Sequence, residues 1–260
     1  MSYETIPLAK SSRWVMRLPP RPEAKVNLFC FPYAGGEAGL FRKWAGLFPP
    51  SISIIPVQLP GRGSRIQEPC LTSMTSIVEA VADGLNDYFD KPFAFFGHSM
   101  GGVISFELAR LLRSGNLPTP IQLFISGRPA PQFGELMPLS YNLPLDQFIE
   151  RLRELNGTPA QVFENKDLLD LIVPILRADF EACQTYSYKA GSPAPCGITA
   201  FSGVDDKITR EQMEGWKEHS SGFFDLRMLP GDHFFLHQEQ KTIADVISRQ
   251  MQQFLFPYGF

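Results

Sequence analysis

Short apolar segments alternate with helical patterns along much of the chain, and this alternation restricts the fold more than any other feature. Four segments end in Gly, Pro or Ser-Gly clusters and are typical of buried strands: 26–31, 52–57, 93–96 and 121–125. Helical patterns over 72–89 and 103–112 lie between the later ones. Strands that alternate with helices form parallel sheets covered by helices on both faces. The sequence therefore predicts an α/β fold with a mostly parallel sheet.

The alternation stops between about residues 130 and 190. This interval carries helical patterns over 145–155 and 167–186 and no strand pattern. Further on, the sequence predicts a strand at 198–201, a helix at 210–218, a strand at 225–229 and a closing helix at 240–254. We therefore expect one domain over 1–260, with a helical insertion at about 130–190 that lies over the sheet.

Composition excludes several classes of protein. An apolar fraction of 44% with a net charge of −3 argues against disorder and against a basic surface for nucleic acid or anionic membranes. Residues 1–14 lack the features of a signal peptide, and no stretch is apolar enough to span a bilayer. The four cysteines are not at metal-ligand spacing. We expect a cytoplasmic protein with reduced thiols, no metal, and no nucleic-acid or membrane partner.

The pentapeptide 97–101, Gly-His-Ser-Met-Gly, has the pattern G-x-S-x-G. It follows an apolar strand segment and opens a helix, which is the strand–turn–helix arrangement of a nucleophile elbow. Glycine at both ends allows the tight turn, and the amides of the following helix face developing negative charge. We therefore predict Ser99 as a nucleophile.

A serine hydroxyl needs a base to take its proton, and the chain has four histidines. We expect the side chain of His98, inside the elbow, to point away from the position of the base. His219 ends a polar helix and is expected at the surface. In the order Ser…Asp…His, the base follows the last strand, where His233 lies, with His237 four residues later as the alternative.

The carboxylate that orients the base should follow the preceding strand, where Asp205 and Asp206 are adjacent. We favour Asp206 as this carboxylate and keep Asp205 as the alternative. The ordinary role of Asp205 would be to stabilise the turn. Asp232, next to His233, is expected to stabilise its own loop.

An oxyanion hole needs two backbone amides. One belongs to the residue after the nucleophile, Met100, and the other to the loop after an early strand. Residues 31–36, Phe-Pro-Tyr-Ala-Gly-Gly, form such a loop, and we predict the amide of Ala34 as the second donor.

Four motifs together carry a family resemblance: 31–36, 58–63 (Gln-Leu-Pro-Gly-Arg-Gly), 96–102 and 231–235 (Gly-Asp-His-Phe-Phe). They resemble the stand-alone, or type II, thioesterases of nonribosomal peptide and polyketide synthase systems, which have the α/β-hydrolase fold. The chain is also similar to the medium-chain thioesterase of fatty acid synthase, including at 214–217. The resemblance extends from about residue 26 to 254. Asp232 is a departure, since many relatives carry a second glycine before the histidine.

The resemblance implies a serine thioesterase in which Ser99, Asp206 and His233 form the triad and the Ala34 and Met100 amides bind the oxyanion. It also implies that the insertion is a lid over an acyl chamber. The substrate would be an acyl, aminoacyl or peptidyl group on the phosphopantetheine arm of a carrier protein. Because the carrier supplies that arm, no cofactor of the chain's own is expected. The expected partners are carrier domains, and the expected state is a monomer.

The function that follows is removal of stalled or mis-primed groups from carriers. The alternatives are a medium-chain acyl-carrier hydrolase of fatty acid synthesis, a small-ester hydrolase, and a non-catalytic binding protein on a hydrolase scaffold. Arg62 has two interpretations that stay open: a contact with phosphate of the arm or of the carrier serine, or a structural salt bridge that holds its loop.

Overall fold

The computed structural model describes residues 13–135 and 137–255, and its centre is a sheet of six parallel strands. The strands are β1 (Val26–Phe31), β2 (Ile52–Pro56), β3 (Phe93–His98), β4 (Gln122–Ser126), β5 (Gly197–Gly203) and β6 (Phe224–Leu229). Their spatial order is β2-β1-β3-β4-β5-β6. The parallel sheet predicted from the sequence is confirmed. The order reverses between β1 and β3, and a crevice at the carboxyl ends of strands forms at such a reversal.

Helices cover both faces of the sheet, as the alternation predicts. They are α1 (Met74–Leu85), α2 (Met100–Ser114), α3 (Leu145–Glu154), α4 (Ala160–Phe163), α5 (Lys166–Gln184), α6 (Arg210–Glu214) and α7 (Gln240–Leu255). A 3-10 segment, Ala38–Leu47, adds to the face that α7 covers. The predicted helices at 210–218 and 72–89 are shorter than expected, since each continues as a 3-10 turn.

Alternate side chains of the central strands enter two separate cores. Phe29 and Phe31 of β1 pack with α1 and α2, whereas Leu28 and Cys30 pack with the 3-10 segment and α7. All four are fully buried. Successive side chains of a strand point to opposite faces, so a continuous apolar run such as 26–31 serves both cores.

The interval between β4 and β5 holds α3, α4 and α5, and its described residues form no strand. This helical insertion, residues 137–190, has its own small apolar core around Phe148, Leu176 and Phe180. Leu176 lies against Gly35 after β1, and Gly157 lies against the ring of Phe234 after β6. The insertion therefore lies over the carboxyl edge of the sheet.

Within the described ranges, no helix is long and apolar enough to cross a membrane. The signal-peptide expectation concerns residues 1–14, of which 1–12 lie outside the described residues, and the cytoplasmic location stays a prediction. All four cysteines are free thiols; Cys30, Cys183 and Cys196 are buried and Cys70 is half-buried.

Candidate active site

Ser99 stands at the turn between β3 and α2 in a strained backbone conformation. Its φ of 53° and ψ of −112° lie in a region that side-chain-bearing residues rarely adopt. Two hydrogen bonds hold the turn: the Ser99 amide donates to the carbonyl of Ser126 at 2.7 Å, and the Gly102 amide donates to the Ser99 carbonyl at 2.9 Å. The turn thus presents Ser99 above the carboxyl edge of the sheet.

Both glycines of the G-x-S-x-G motif are required by close backbone approaches. A Cβ on Gly97 would overlap the carbonyl group of Gly101, and a Cβ on Gly101 would overlap the carbonyl oxygen of Phe31. The second approach brings the start of α2 against the end of β1. The elbow and the loop that follows β1 are therefore neighbours.

Asp206 and His233 are joined by a hydrogen bond of 2.8 Å between the carboxylate Oδ2 and the ring Nδ1. The Asp206 side chain is 4% exposed, and that of His233 is 31% exposed. A buried carboxylate on Nδ1 directs the other nitrogen, Nε2, outward. His233 Nε2 has no hydrogen-bond partner within the described residues, Ser99 Oγ included.

The carboxylate alternative, Asp205, is exposed and is not joined to His233. The pairing with Asp206 depends on Gly203, where a Cβ would overlap the backbone carbonyls of Gly231 and Asp232. This close approach brings the loop after β5 against the loop after β6. Asp232 stabilises its own loop, as expected, by accepting a hydrogen bond of 2.9 Å from the Phe234 amide.

The two backbone amides predicted for the oxyanion hole make no hydrogen bond to the described residues. Those of Ala34 and Met100 have no hydrogen-bond acceptor in the described part of the chain, whereas the Gly35 amide between them in the sequence donates to Asp179 at 2.7 Å. Ala34 follows β1 and Met100 opens α2, on the two sides of the crevice between β1 and β3. Two free donors at the mouth of a crevice can stabilise a developing negative charge.

His98 is fully buried beneath the site and neutral. Its Nδ1 contacts the Ser126 hydroxyl at 2.8 Å, and its ring lies 5.2 Å from the ring of His233. Burial, together with the neighbouring His233, lowers the pKa of His98 well below its ordinary value of 6.5. As expected, it does not occupy the position of the base, and instead it supports the His233 loop from below.

The other two histidines have structural partners. His237 Nε2 lies 3.2 Å from the hydroxyl of Tyr33, and burial lowers the pKa of His237. The expectation of a surface position for His219 is wrong: it is 6% exposed, contacts Gln132 at 2.5 Å and packs against Trp216. The partner of its ring nitrogen, Gln132, is 87 residues away in the sequence, so the polar helix before His219 gave no sign of its burial.

Arg62 lies in a buried salt bridge. Its side chain is 4% exposed, and its two terminal nitrogens bind both carboxylate oxygens of Asp179 on α5, the second pair at 2.8 Å. Its Nε donates to the carbonyl of Pro60 at 3.2 Å. Because the guanidinium is buried and its Nε, Nη1 and Nη2 each donate to a protein oxygen, the structure favours the salt-bridge interpretation of Arg62 over the phosphate contact.

The sequence analysis did not predict a role for two residues beside the candidate site, Tyr33 and Asp179. Tyr33 lies against His98 and Phe234, so it joins the loop after β1 to the His233 loop. Asp179 is a fully buried carboxylate among the apolar residues of α5. A charged residue on the buried face of a helical pattern is the signal that could have marked Asp179. In the described residues, no cluster of three or more His, Cys, Asp or Glu is placed to hold a metal.

Comparisons with known proteins find matches over nearly the whole chain. A family described as "Thioesterase domain" matches residues 26–251. The chain is 44% identical over 251 residues to "Linear gramicidin dehydrogenase LgrE" of Brevibacillus parabrevis, covering 95% of each protein. It is 41% identical over 251 residues to "Gramicidin S biosynthesis protein GrsT" of Aneurinibacillus migulanus, covering 96% of this chain and 98% of that one. The solved type II thioesterase BorB from the borrelidin biosynthetic cluster has a TM-score of 0.84 at 33% identity, covering 93% of this chain and 99% of BorB.

Proposed function

The chain belongs to the thioesterase family, and from that premise we propose that it hydrolyses acyl, aminoacyl or peptidyl thioesters on the phosphopantetheine arm of carrier proteins. Its task would be to remove stalled or mis-primed groups in nonribosomal peptide or polyketide biosynthesis. The observation that carries the chemistry is the 2.8 Å hydrogen bond that the His233 ring donates to the Asp206 carboxylate, at the same sheet edge as the strained Ser99.

In the first step, His233 Nε2 takes the hydroxyl proton of Ser99 while Ser99 Oγ attacks the thioester carbonyl carbon. The negative charge that forms on the carbonyl oxygen is held by the amides of Ala34 and Met100. The carbon–sulfur bond then breaks, and the imidazolium gives its proton to the departing phosphopantetheine thiolate. Asp206 keeps the imidazole in the correct tautomer and stabilises its protonated form.

In the second step, water replaces the thiol. His233 takes a proton from the water, which attacks the acyl-Ser99 ester, and the same two amides hold the second oxyanion. The bond to Ser99 Oγ breaks, the proton returns to the serine, and the free acid leaves. The insertion, as a lid over this edge, would limit which acyl groups reach Ser99.

The substrate class rests on the relatives. GrsT is named for gramicidin S biosynthesis and BorB for the borrelidin cluster, and both match nearly the whole chain. The name of LgrE assigns a dehydrogenase reaction to that relative. We do not transfer it, since this chain has no G-x-G-x-x-G sequence and carries the elbow pattern at 97–101.

The test is hydrolysis of one acyl group on three platforms: a holo carrier protein, coenzyme A and a p-nitrophenyl ester. Acetyl and decanoyl versions are each assayed with wild type, Ser99→Ala and the surface control Ser76→Ala. We expect wild type and Ser76→Ala to prefer the carrier and to accept acetyl. Ser99→Ala should lose a factor of about 10⁴ or more in turnover.

Each other outcome selects an alternative. Strong preference for decanoyl over acetyl would favour the medium-chain hydrolase of fatty acid synthesis. Equal rates on the three platforms would indicate a generic esterase and contradict the carrier proposal. Failure of a fluorophosphonate probe to label Ser99 would favour the non-catalytic binding protein.

A further inference from the structure

The buried carboxylate of Asp179 links the helical insertion to the predicted oxyanion loop. Asp179 is on α5 and is fully buried. Its Oδ2 accepts a hydrogen bond of 2.7 Å from the amide of Gly35, 144 residues away in the sequence. Both carboxylate oxygens also bind the guanidinium of Arg62. One side chain of the insertion thus holds the loops that follow β1 and β2.

Helix α5 contacts the loop after β1 at a second point, one helical turn before Asp179. Gly35 has a φ of +78°, and a Cβ there would lie 2.5 Å from Cδ2 of Leu176. Leu176 and Asp179 are three residues apart and share one face of the helix. Gly35 is therefore clamped by an apolar contact and a charge-assisted hydrogen bond, and the peptide that precedes it is fixed in orientation.

This clamp determines where the neighbouring amide points. Gly35 directly follows Ala34, whose amide has no acceptor in the described residues. Because Asp179 takes the Gly35 amide, the loop cannot rotate that donor toward the crevice. Of these two successive N–H groups, that of Gly35 is bound to the insertion, and that of Ala34 is left without an acceptor in the described residues.

Without a cationic partner, the Asp179 carboxylate would repel the negative charge that forms on the substrate oxygen during acyl transfer. Arg62 neutralises it through a bidentate pair that is itself shielded from water. The pair supplies an anionic acceptor for Gly35 without leaving a net charge beside the oxyanion.

We propose that Asp179 is a positioning residue for the oxyanion hole, which anchors Gly35 so that the Ala34 amide faces the reacting carbonyl, with Arg62 as its neutralising partner. This inference rests on the proposed function. It makes the insertion part of the catalytic apparatus as well as a cover for it.

The test separates the hydrogen bond from the ion pair with two double variants. Arg62→Met with Asp179→Asn removes both charges and keeps a side-chain oxygen for the Gly35 amide. Arg62→Met with Asp179→Leu removes the charges and the acceptor, and the Leu side chain has the same number and branching of heavy atoms as Asn. Replacing a buried ion pair by apolar side chains is often neutral or stabilising, so the Leu variant should fold. Asn leaves a buried amide group without full partners, so that variant should be the less stable of the two.

Activity is expected to follow the opposite order. The Leu variant should lose a factor of about 10² in kcat with KM changed little, because a misplaced donor weakens the transition state and not the ground state. Its affinity for an alkyl trifluoromethyl ketone, which forms a tetrahedral adduct with a serine nucleophile, should fall by the same factor. The Asn variant should keep most of both quantities. Thermal unfolding of each protein verifies that it is folded.

The matched control is Arg128→Met with Glu135→Leu, another largely buried ion pair, which joins the first residues after β4 to the segment just before the insertion at 3.0 Å. It should leave ketone affinity within about twofold of wild type. If the Asn and Leu variants are both folded and equal in kcat and ketone affinity, the inference is wrong. If wild type shows no hydrolysis that depends on Ser99, the proposed function itself has failed, which is a different result.

Discussion

The serine elbow and the helical insertion lie on opposite sides of the candidate active site, but different kinds of contact hold them. At the elbow, the contacts are between backbone groups: Gly97 against Gly101, and the Ser99 amide on Ser126. The insertion is held by a few long side chains of α5. Arg177 donates to the carbonyl of Leu143 at 2.7 Å, and similar side-chain bonds are made by Asp179 and Gln184.

This difference has a consequence for how each region tolerates change. A backbone packed against backbone cannot relax when an atom is added, whereas a side-chain anchor can be lost while the elements around it stay folded. Substitutions at the elbow edge should therefore act on chemistry and on global stability. Substitutions at the anchors of the insertion should act mainly on local order.

The largest expected effect distinguishes two adjacent residues on the elbow side. Asp206→Asn should reduce kcat by a factor of about 10⁴ without unfolding the protein, because His233 loses the carboxylate that fixes its tautomer. Asp205→Asn should leave kcat nearly unchanged, since Asp205 is exposed. Steady-state hydrolysis of an acyl-carrier substrate measures both. A larger loss for Asp205→Asn would overturn the assignment of the carboxylate.

The second prediction tests whether backbone packing sets the stability of the elbow. Gly101→Ala should lower the free energy of unfolding by about 3 kcal/mol or more, because its Cβ overlaps the carbonyl of Phe31. Gly46→Ala is the control: nothing lies within 4 Å of a Cβ there. This control should be neutral or stabilising by up to about 1 kcal/mol. Urea unfolding measures the difference, and equal stabilities would contradict the steric account.

The third prediction concerns the anchors of the insertion. Arg177→Met removes two hydrogen bonds to loop carbonyls and the contact of the guanidinium with the Phe148 ring at 4.4 Å. We expect a local loss of about 1.5–3 kcal/mol, seen as faster amide hydrogen exchange over 137–165. Exchange at β3 and α2 should not change.

Arg153→Met on α3 is the control for that experiment. Its partners are Glu150 at 3.2 Å, with both side chains more than half exposed, and the ring of Phe163, whose centre is 5.1 Å from the guanidinium carbon. An exposed pair contributes at most about 1 kcal/mol, so exchange should change little. If Arg177→Met accelerated exchange in β3 as strongly as in the insertion, the two regions would not be independent.

The smallest predicted effect is a pH dependence on the elbow side. The pKa of His98 is lowered in the folded protein, so below pH 6.5 the unfolded chain binds a proton that the folded protein does not. The stabilisation is complete above pH 6.5 and is lost as the pH falls. Between pH 7.5 and 5.5 this site alone should remove about 1.4 kcal/mol of stability.

His98→Gln should flatten that dependence by the same amount, whatever its own stability. His219 and His237 also have a lowered pKa, but they contribute equally to wild type and variant. The insertion at 137–190 contains no histidine, so its hydrogen exchange should not follow this titration. Parallel slopes for wild type and His98→Gln would contradict the assignment.

Much of the fold could be predicted because its signals are local. The runs at 26–31 and 93–96 are β-strands, and the interval that lacks a strand pattern is helical, as expected. The residues singled out for the site, Ser99, Asp206 and His233, follow the ends of three strands of one parallel sheet. Their catalytic roles stay a prediction until the variants are measured.

One prediction was wrong and one was left open, for the same physical reason. His219 was expected at the surface, but it is buried with its ring nitrogen against Gln132, and Arg62 was left open between two roles. In both cases the deciding partner is remote: Asp179 is 117 residues from Arg62. Periodicity and motif spacing describe neighbours along the chain. They do not indicate which distant side chain will be buried against a given polar or charged group.

The sequence by itself therefore determined the parallel α/β architecture, the elbow at Ser99 and the loops that hold the remaining candidates, because each follows from propensity, periodicity and the steric needs of glycine. Only the tertiary structure decided that the insertion reaches into the site, through the contact of Asp179 with Gly35. That contact forms because a buried carboxylate must find donors, and the nearest available ones are brought to it by the packing of α5 on the sheet edge.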